Sequence, residues 1–315
     1  MLVDDYTLIK QIGKGAFGEV YLASKKEENV SYAVKVIDIS EYKHNRKALR
    51  YLNNEIYLLK QVNHPNILKF IDKKKTSEKV FIITEYYNGG NLENFFQAYK
   101  LKYNNFPSEK IVQYIMRQII EGIKYLHNKH IIYRSVNLAN IMINYEDEND
   151  RINNNIMKGK IKIIDFGFSR YLKKGELANS TLGNPINMDP IILFKLNKIP
   201  EYKDSNYDEK VDIWSLGTIF YQLLIGKTPF DSNNMSELVE KIKKGDYYIP
   251  TELSKEAISF LNCMMRYDSK ERLSIDILYN HEFLRKNAKE FTKLEIKDNK
   301  LGPKIKLNIY SEKSI

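Results

Sequence analysis

The sequence predicts an α+β fold in two lobes, on three observations. The chain has 315 residues, enough to bury a large core and to form a single two-lobed unit. Its first part alternates apolar and polar residues at a period of two, the mark of half-buried strands. A later stretch, "PSEKIVQYIMRQIIEGIKYLHNKHI", carries apolar residues at helical spacing. The bulk numbers narrow the function classes. Hydrophobic content of 43% with 29% charged residues is ordinary for a soluble globular protein. One cysteine, Cys263, excludes an internal disulfide and points to a reducing compartment. No apolar run approaches the ~20 residues of a membrane span, and the first residues lack a charged-then-apolar signal pattern. The net charge is +10. The lysines are dispersed and runs such as Lys73-Lys74-Lys75 are short, so a basic surface is expected rather than a nucleic-acid partner.

The elements follow in order. In "YTLIKQIGKGAFGEVYLASKKEENVSYAVKVIDIS", Tyr6, Leu8, Val20 and Leu22 read as strand positions around Gly13, Gly15 and Gly18. A glycine hairpin lets backbone amides approach phosphate oxygens. A dinucleotide fold needs a helix straight after such glycines. Here a strand follows, Glu19 to Ala23, and then a second strand that carries Lys35. "KALRYLNNEIYLLKQVNHPNIL" places Leu49, Leu52, Ile56 and Leu59 on one helix face, with Glu55 beside it and an end before Pro65. "KVFIITEYYNGGNL" reads as a strand broken by Gly89 and Gly90. The long amphipathic helix starts at Pro107 or Ser108 and leads into "HIIYRSVNLANIMI". Residues 144–160 are polar and asparagine-rich, and an exposed insertion between two short strands is expected there. "IKIIDFGFSR" then sets Asp165-Phe166-Gly167 behind an apolar run.

These segments, in this order, resemble protein kinases: a Gly-rich loop, a strand lysine, a helix glutamate, a catalytic loop written H-R-D-L-x-x-x-N and a D-F-G turn. "DFGFSRYL" and "DIWSLGTIFYQLLIGKTPF" are most similar to the autophagy-initiating ULK-type Ser/Thr kinases. "SKERLSIDILYNHEFL" resembles the end of that domain. The resemblance spans 6–284. It implies a small β-rich N-lobe with one key helix at 6–86, a larger and mainly helical C-lobe at 87–284, and a basic tail at 285–315. It further implies a site for ATP and Mg²⁺. Ile12, Gly13, Gly15, Gly18, Val20, Ala33, Thr84, Glu85, Tyr86, Tyr87 and Met142 would surround the nucleotide, with Thr84 in the gatekeeper place. Lys35, aimed by Glu55, would neutralise phosphate charge. Asn140 and Asp165 would offer hard oxygens to Mg²⁺. Asp212, Trp214 and Gly217 match the helix that supports the catalytic loop.

Other positions depart from the pattern. Tyr133 stands for the loop histidine, and Ser135 for the aspartate that accepts the substrate hydroxyl's proton. Asn137 stands where Ser/Thr kinases place a lysine, Asn184 where a threonine touches the catalytic aspartate, and Ile191 where A-P-E ends in glutamate. That glutamate normally pairs with the arginine matched by Arg272, so a new partner is expected for it: Glu201, Asp204, Asp208, Glu209 or another local acid. The expectation is an ATP/Mg-binding, nucleotide-responsive pseudokinase in the cytoplasm, with a weakly active Ser/Thr kinase as the alternative. An active form would not favour substrates with upstream arginines, because the acidic docking positions are Asn91 and Ala139. Protein partners are expected through the C-lobe, the activation segment or the tail. The tail after Leu284 holds nine Lys/Arg against four Asp/Glu. A packed or frayed terminus is expected there, with an edge strand or a docking segment at "KIKLNI" as the alternative.

Overall fold

The computed structural model describes residues 2–15, 18–26, 28, 30–40, 46–172, 178, 185–245, 247–285 and 307–310, with backbone alone at 46–48 and 307–310. The element order is β1 (Leu2–Val3), β2 (Tyr6–Gly15), β3 (Gly18–Lys25), β4 (Ser31–Asp38), α1 (Arg46–Gln61), β5 (Phe70–Lys75) and β6 (Lys79–Glu85). Next come α2 (Leu92–Tyr103), α3 (Glu109–Asn128), β7 (Ile131–Ile132), β8 (Ile141–Asn144), α4 (Glu148–Ile152), β9 (Lys160–Ile163) and β10 (Arg170–Tyr171). The chain then runs through α5 (Pro190–Leu196), α6 (Lys210–Ile225), α7 (Met235–Lys244), β11 (Tyr247–Pro250), α8 (Lys255–Met264), α9 (Ile275–Tyr279), α10 (Glu282–Arg285) and β12 (Leu307–Tyr310). This is the α+β, two-lobed class expected from the sequence.

Two compact units result: 1–91 with 141–170, and 92–140 with 171–315. The first holds a six-stranded antiparallel sheet in the order β1-β2-β3-β4-β6-β5. Val3, Tyr6, Leu8, Ala23, Tyr32, Val34, Phe81 and Ile83 form a buried cluster on it, with the rings of Tyr6 and Tyr32 edge to face. Val80, Phe81, Ile82 and Ile83 are all buried, so β6 is covered on both faces. The alternating β8–β9 hairpin belongs to this unit too. The sequence division at 86/87 follows the end of β6 at Glu85; the division by packing falls after Asn91 and assigns 141–170 to the strand unit.

Residues 144–160 are more than an exposed insertion. They contain α4, whose N-cap Asp147 accepts hydrogen bonds from Asn149 N and Asp150 N, and they bury Tyr145 and Ile156. The second unit is organised on α6, which is apolar nearly all round and buried on every side, as a core helix must be. Phe220 of α6, Phe260 of α8 and Phe283 of α10 meet ring to ring. At the end of α6, Gly226 takes φ +82, and a Cβ there would lie 2.0 Å from the Phe106 ring. Only glycine fits that cap. In the tail, β12 pairs in parallel with β11, so the "KIKLNI" stretch forms from Leu307 on the strand that was the alternative to a packed or frayed terminus; Lys304, Ile305 and Lys306 lie outside the described residues.

A candidate nucleotide site and a braced loop

In the first unit, β3 and β4 pair Val20 with Lys35 and Leu22 with Ala33, while β2 pairs Gly13 with Val20 and Gly15 with Gly18. Ile12 is 40% exposed on this strand. Gly18 has φ +150, and a Cβ there would lie 2.0 Å from Val36 O. Its glycine is therefore required by the sheet itself. Lys35 Nζ donates to both carboxylate oxygens of Glu55, at 2.8 and 3.1 Å. The glutamate side chain is 5% exposed, so the pair works at reduced dielectric. Thr84 pairs with Ala33 across β4–β6 and its hydroxyl donates to Ala33 O at 3.4 Å.

After β6, the side chains of Glu85 and Tyr87 are fixed by groups the sequence reading did not single out. Lys69 Nζ lies 3.3 Å and Lys162 Nζ 3.8 Å from the Glu85 carboxylate. The buried Tyr87 hydroxyl accepts from Lys69 N at 3.2 Å and donates to Glu85 at 3.4 Å. Burial raises the Tyr87 phenol well above its usual range. Burial also lowers the ammonium of Lys162, which sits 5.2 Å over the Tyr87 ring. Both side chains are therefore committed within the unit. Lys162 occupies one letter of the apolar run before Asp165 and gave no sequence signal of this role. Met142 is half-buried on β8, opposite Lys162 of β9 and bridged to Asn91.

Asp165 has φ +64, a left-handed backbone unusual for a side-chain-bearing residue. Its Oδ1 accepts from Gly167 N at 3.1 Å. Phe166 is fully buried. From α1, Asn54 Nδ2 donates to Ser169 O at 2.7 Å.

The loop of the second unit is built on Asp212 of α6. This fully buried carboxylate accepts from Tyr133 N at 2.9 Å and Arg134 N at 2.7 Å, and shares a hydrogen bond with His127 Nε2 at 2.8 Å. Arg134, at φ +64, is thereby held in a left-handed conformation, and its guanidinium donates to the Tyr207 hydroxyl at 2.9 Å. Gly217 of α6 allows close approach: a Cβ there would lie 2.8 Å from Met265. Further along the loop, Asn137 and Asn140 both donate their side-chain amides to Ser135 O, each at 3.0 Å. Asn137 Oδ1 accepts from Asn140 N at 3.0 Å. Both ends of the Asn137 amide are thus spent inside the loop. Asn140 keeps its Oδ1 end. The Ser135 side chain is buried, and its hydroxyl has no hydrogen-bond partner among the described residues.

Arg272 has an acid partner, Asp189, with both side chains fully buried. The connection supplying Glu201, Asp204, Asp208 and Glu209 does not provide it; the alternative of another local acid does. The guanidinium also donates to Arg266 O at 2.7 Å, Lys210 O at 3.0 Å and Tyr267 O at 3.2 Å, and lies 5.1 Å from the centre of the Trp214 ring. Asp189 at the same time caps α5, its Oδ1 accepting from Ile191 N at 2.8 Å. Ile191 is therefore not a lost ion pair, because the carboxylate stands two residues earlier. Asn184 lies outside the described residues.

The protein kinase domain pattern matches residues 6–284. The chain belongs to the protein kinase family. It is 32% identical to Serine/threonine-protein kinase ATG1c of Arabidopsis thaliana, over 90% of this chain and 36% of that protein. It is 28% identical to Serine/threonine-protein kinase atg1 of Dictyostelium discoideum, over 90% and 40%. It is 31% identical to Serine/threonine-protein kinase ULK3 of Xenopus laevis, over 90% and 56%. The chain thus spans about a third to just over half of these relatives. Kinases use ATP with Mg²⁺; the two residues expected to hold that cation, Asp165 of the first unit and Asn140 of the second, each carry a hard oxygen. Among the described residues no three His, Cys, Asp or Glu gather into a metal cage.

Proposed function

We propose that this kinase-family chain binds Mg-ATP, transfers its γ-phosphate poorly or not at all, and acts in the cytoplasm as a nucleotide-responsive signalling protein. The observation that carries the reading is the braced loop: a buried serine hydroxyl at the base position, and at the lysine position an asparagine whose amide is consumed by Ser135 O and Asn140 N. Neither is a carboxylate or a cation. General acid–base help is worth roughly 10²–10⁴ in rate, about 3–5 kcal/mol of barrier. The nucleotide side supports binding, since Lys35 and Glu55 are paired and the Asp165 turn is formed. The likeness to ATG1 and ULK relatives suggests a role in a related signalling setting, through protein partners.

A weakly active Ser/Thr kinase is the second reading. It is favoured by the Asp189–Arg272 pair, which preserves a contact that the sequence alone would count as lost. Two measurements separate the readings. A ligand that binds only the folded state adds about 2.7 kcal/mol of stability at a hundredfold excess over its Kd. Mg-ATP should therefore raise the melting temperature of wild type and not of Lys35→Met; absence of any shift at millimolar Mg-ATP sinks the binding claim. Incubation with radiolabelled ATP should leave wild type no more labelled than Asp165→Ala. Steady incorporation above that blank would establish the enzyme reading instead.

A further inference from the structure

We infer that Asn54 is a positioning residue: it ties the helix bearing Glu55 to the turn bearing Asp165, so that the phosphate-side lysine and the metal-side carboxylate are set together. The inference deepens the Mg-ATP reading and rests on it for its functional consequence.

Three contacts carry it, all within the first unit. Glu55 of α1 holds Lys35 of β4. The preceding residue, Asn54, donates its side-chain amide to Ser169 O at 2.7 Å. The segment it grips is closed on itself: Ser169 N donates to Phe166 O at 3.0 Å, and Gly167 N to Asp165 Oδ1 at 3.1 Å. Ser169 is 1% exposed, so this carbonyl is a fixed point.

Successive helix residues project about 100° apart around the axis, at 3.6 residues per turn. Residues 54 and 55 therefore reach two different elements, one a strand and the other the Asp165 turn. A helix pinned at both cannot roll about its axis without breaking one contact. Rolling away from Ser169 would swing Glu55 off Lys35. Displacement of the Asp165 turn would pull on Asn54. Asparagine is a weak helix former whose short amide competes with the backbone. In mid-helix it is best accommodated where the side chain has a partner of its own. The neighbouring Asn53 is exposed and offers a control on the same helix.

The test has one arm without nucleotide. Wild type, Asn54→Leu, Asn54→Asp and Asn53→Ala are treated with an amine-acylating ester, and Lys35 labelling is followed by peptide mass spectrometry. Leucine keeps the volume and removes the donor; aspartate keeps the shape and faces Ser169 O with a carboxylate. Both should label Lys35 several-fold faster than wild type, while Asn53→Ala labels at the wild-type rate. Unchanged Lys35 labelling in both Asn54 variants overturns the inference. The second arm measures ATP affinity with and without Mg²⁺. The enhancement by Mg²⁺ should fall toward unity in the Asn54 variants and stay in Asn53→Ala, a change that mere destabilisation does not produce; a preserved enhancement also overturns the coupling. If wild type fails to bind Mg-ATP, the proposed function falls, and the labelling arm still decides whether Asn54 sets the Lys35–Glu55 pair.

Discussion

Asp189 serves two elements at once. One of its carboxylate oxygens caps α5 and the other meets Arg272, both side chains being fully out of water. Breaking such a pair leaves a buried cation uncompensated, which costs about 3–5 kcal/mol. Asp189→Ala should lower the free energy of unfolding by that order in urea titration. Restoring a glutamate at the usual place, in Asp189→Ala with Ile191→Glu, should recover part of the loss. No recovery would mean that the local backbone now fits only a carboxylate at 189. The resemblance to kinases announced that Arg272 needed a partner, because the stretch that should end in its glutamate ends in Ile191. It did not announce which acid, since Asp189 and Arg272 are 83 positions apart. The same limit applies to Asn54: its amide is visible in the sequence, but its acceptor lies 115 positions away.

At the scale of elements, the loop from His130 to Asn140 behaves as one braced object. Asn137 and Asn140 converge on Ser135 O, and Asn140 N returns to Asn137 Oδ1. Ser135→Asp alone leaves those braces in place and puts a carboxylate where a neutral hydroxyl is already buried without a partner among the described residues. It should restore little activity. The triple change Ser135→Asp, Asn137→Lys, Asn184→Thr should gain much more than the sum of its single changes, because groups that act as a unit are not additive. Rates measured for all single and combined variants check this, and full activity from Ser135→Asp alone would contradict it. The elements themselves were largely legible. Period-two alternation marked β2, β3 and β4, although only the start of β2, at Tyr6 and Leu8, and β4, at Tyr32 and Val34, bury alternate residues; helical spacing marked α1 and α3, where one stripe is buried. The helix inside 144–160 was missed: the stretch is polar, and a five-residue α4 has too few turns to show a period. Its one signal was Asp147, a good N-cap residue.

Across the whole molecule, the order of strands before helices was readable from the sequence, whereas the packing division was not. Residues 141–170 lie far along the chain and pack with the strand unit, through backbone hydrogen bonds of Ile143 to Gly89 and Gly90 and of Ile163 to Asn66 and Leu68 that no local pattern reports. Global stability offers a further check. His281 loses pKa through burial, its Nδ1 accepts from Phe283 N at 3.2 Å, its Nε2 lies 3.1 Å from Ser259 Oγ, and its ring lies against Phe260. The folded value lies below the usual histidine value of about 6.5, so the unfolded chain binds the proton more readily. Stability from this group is complete above about pH 6.5 and is lost as pH falls from there toward the folded value. The urea midpoint should drop between pH 7.5 and 5.5, and His281→Gln should flatten that slope; identical slopes would assign the effect to other groups.

The residues expected around the nucleotide, from Ile12 to Met142 and Asp165, fall in one compact unit, with only Asn140 in the other, where Ser135, Asn137 and the Asp212 scaffold reside. Asn140 belongs to both sets, for its side-chain amide donates to Ser135 O and its backbone N to Asn137 Oδ1. Substitutions in one hydrogen-bond network couple rather than add. A change at Asn137 therefore reaches the expected metal ligand through that ligand's own hydrogen bond, and a lineage carrying this chain inherits the two sets through a shared residue, not as independent characters.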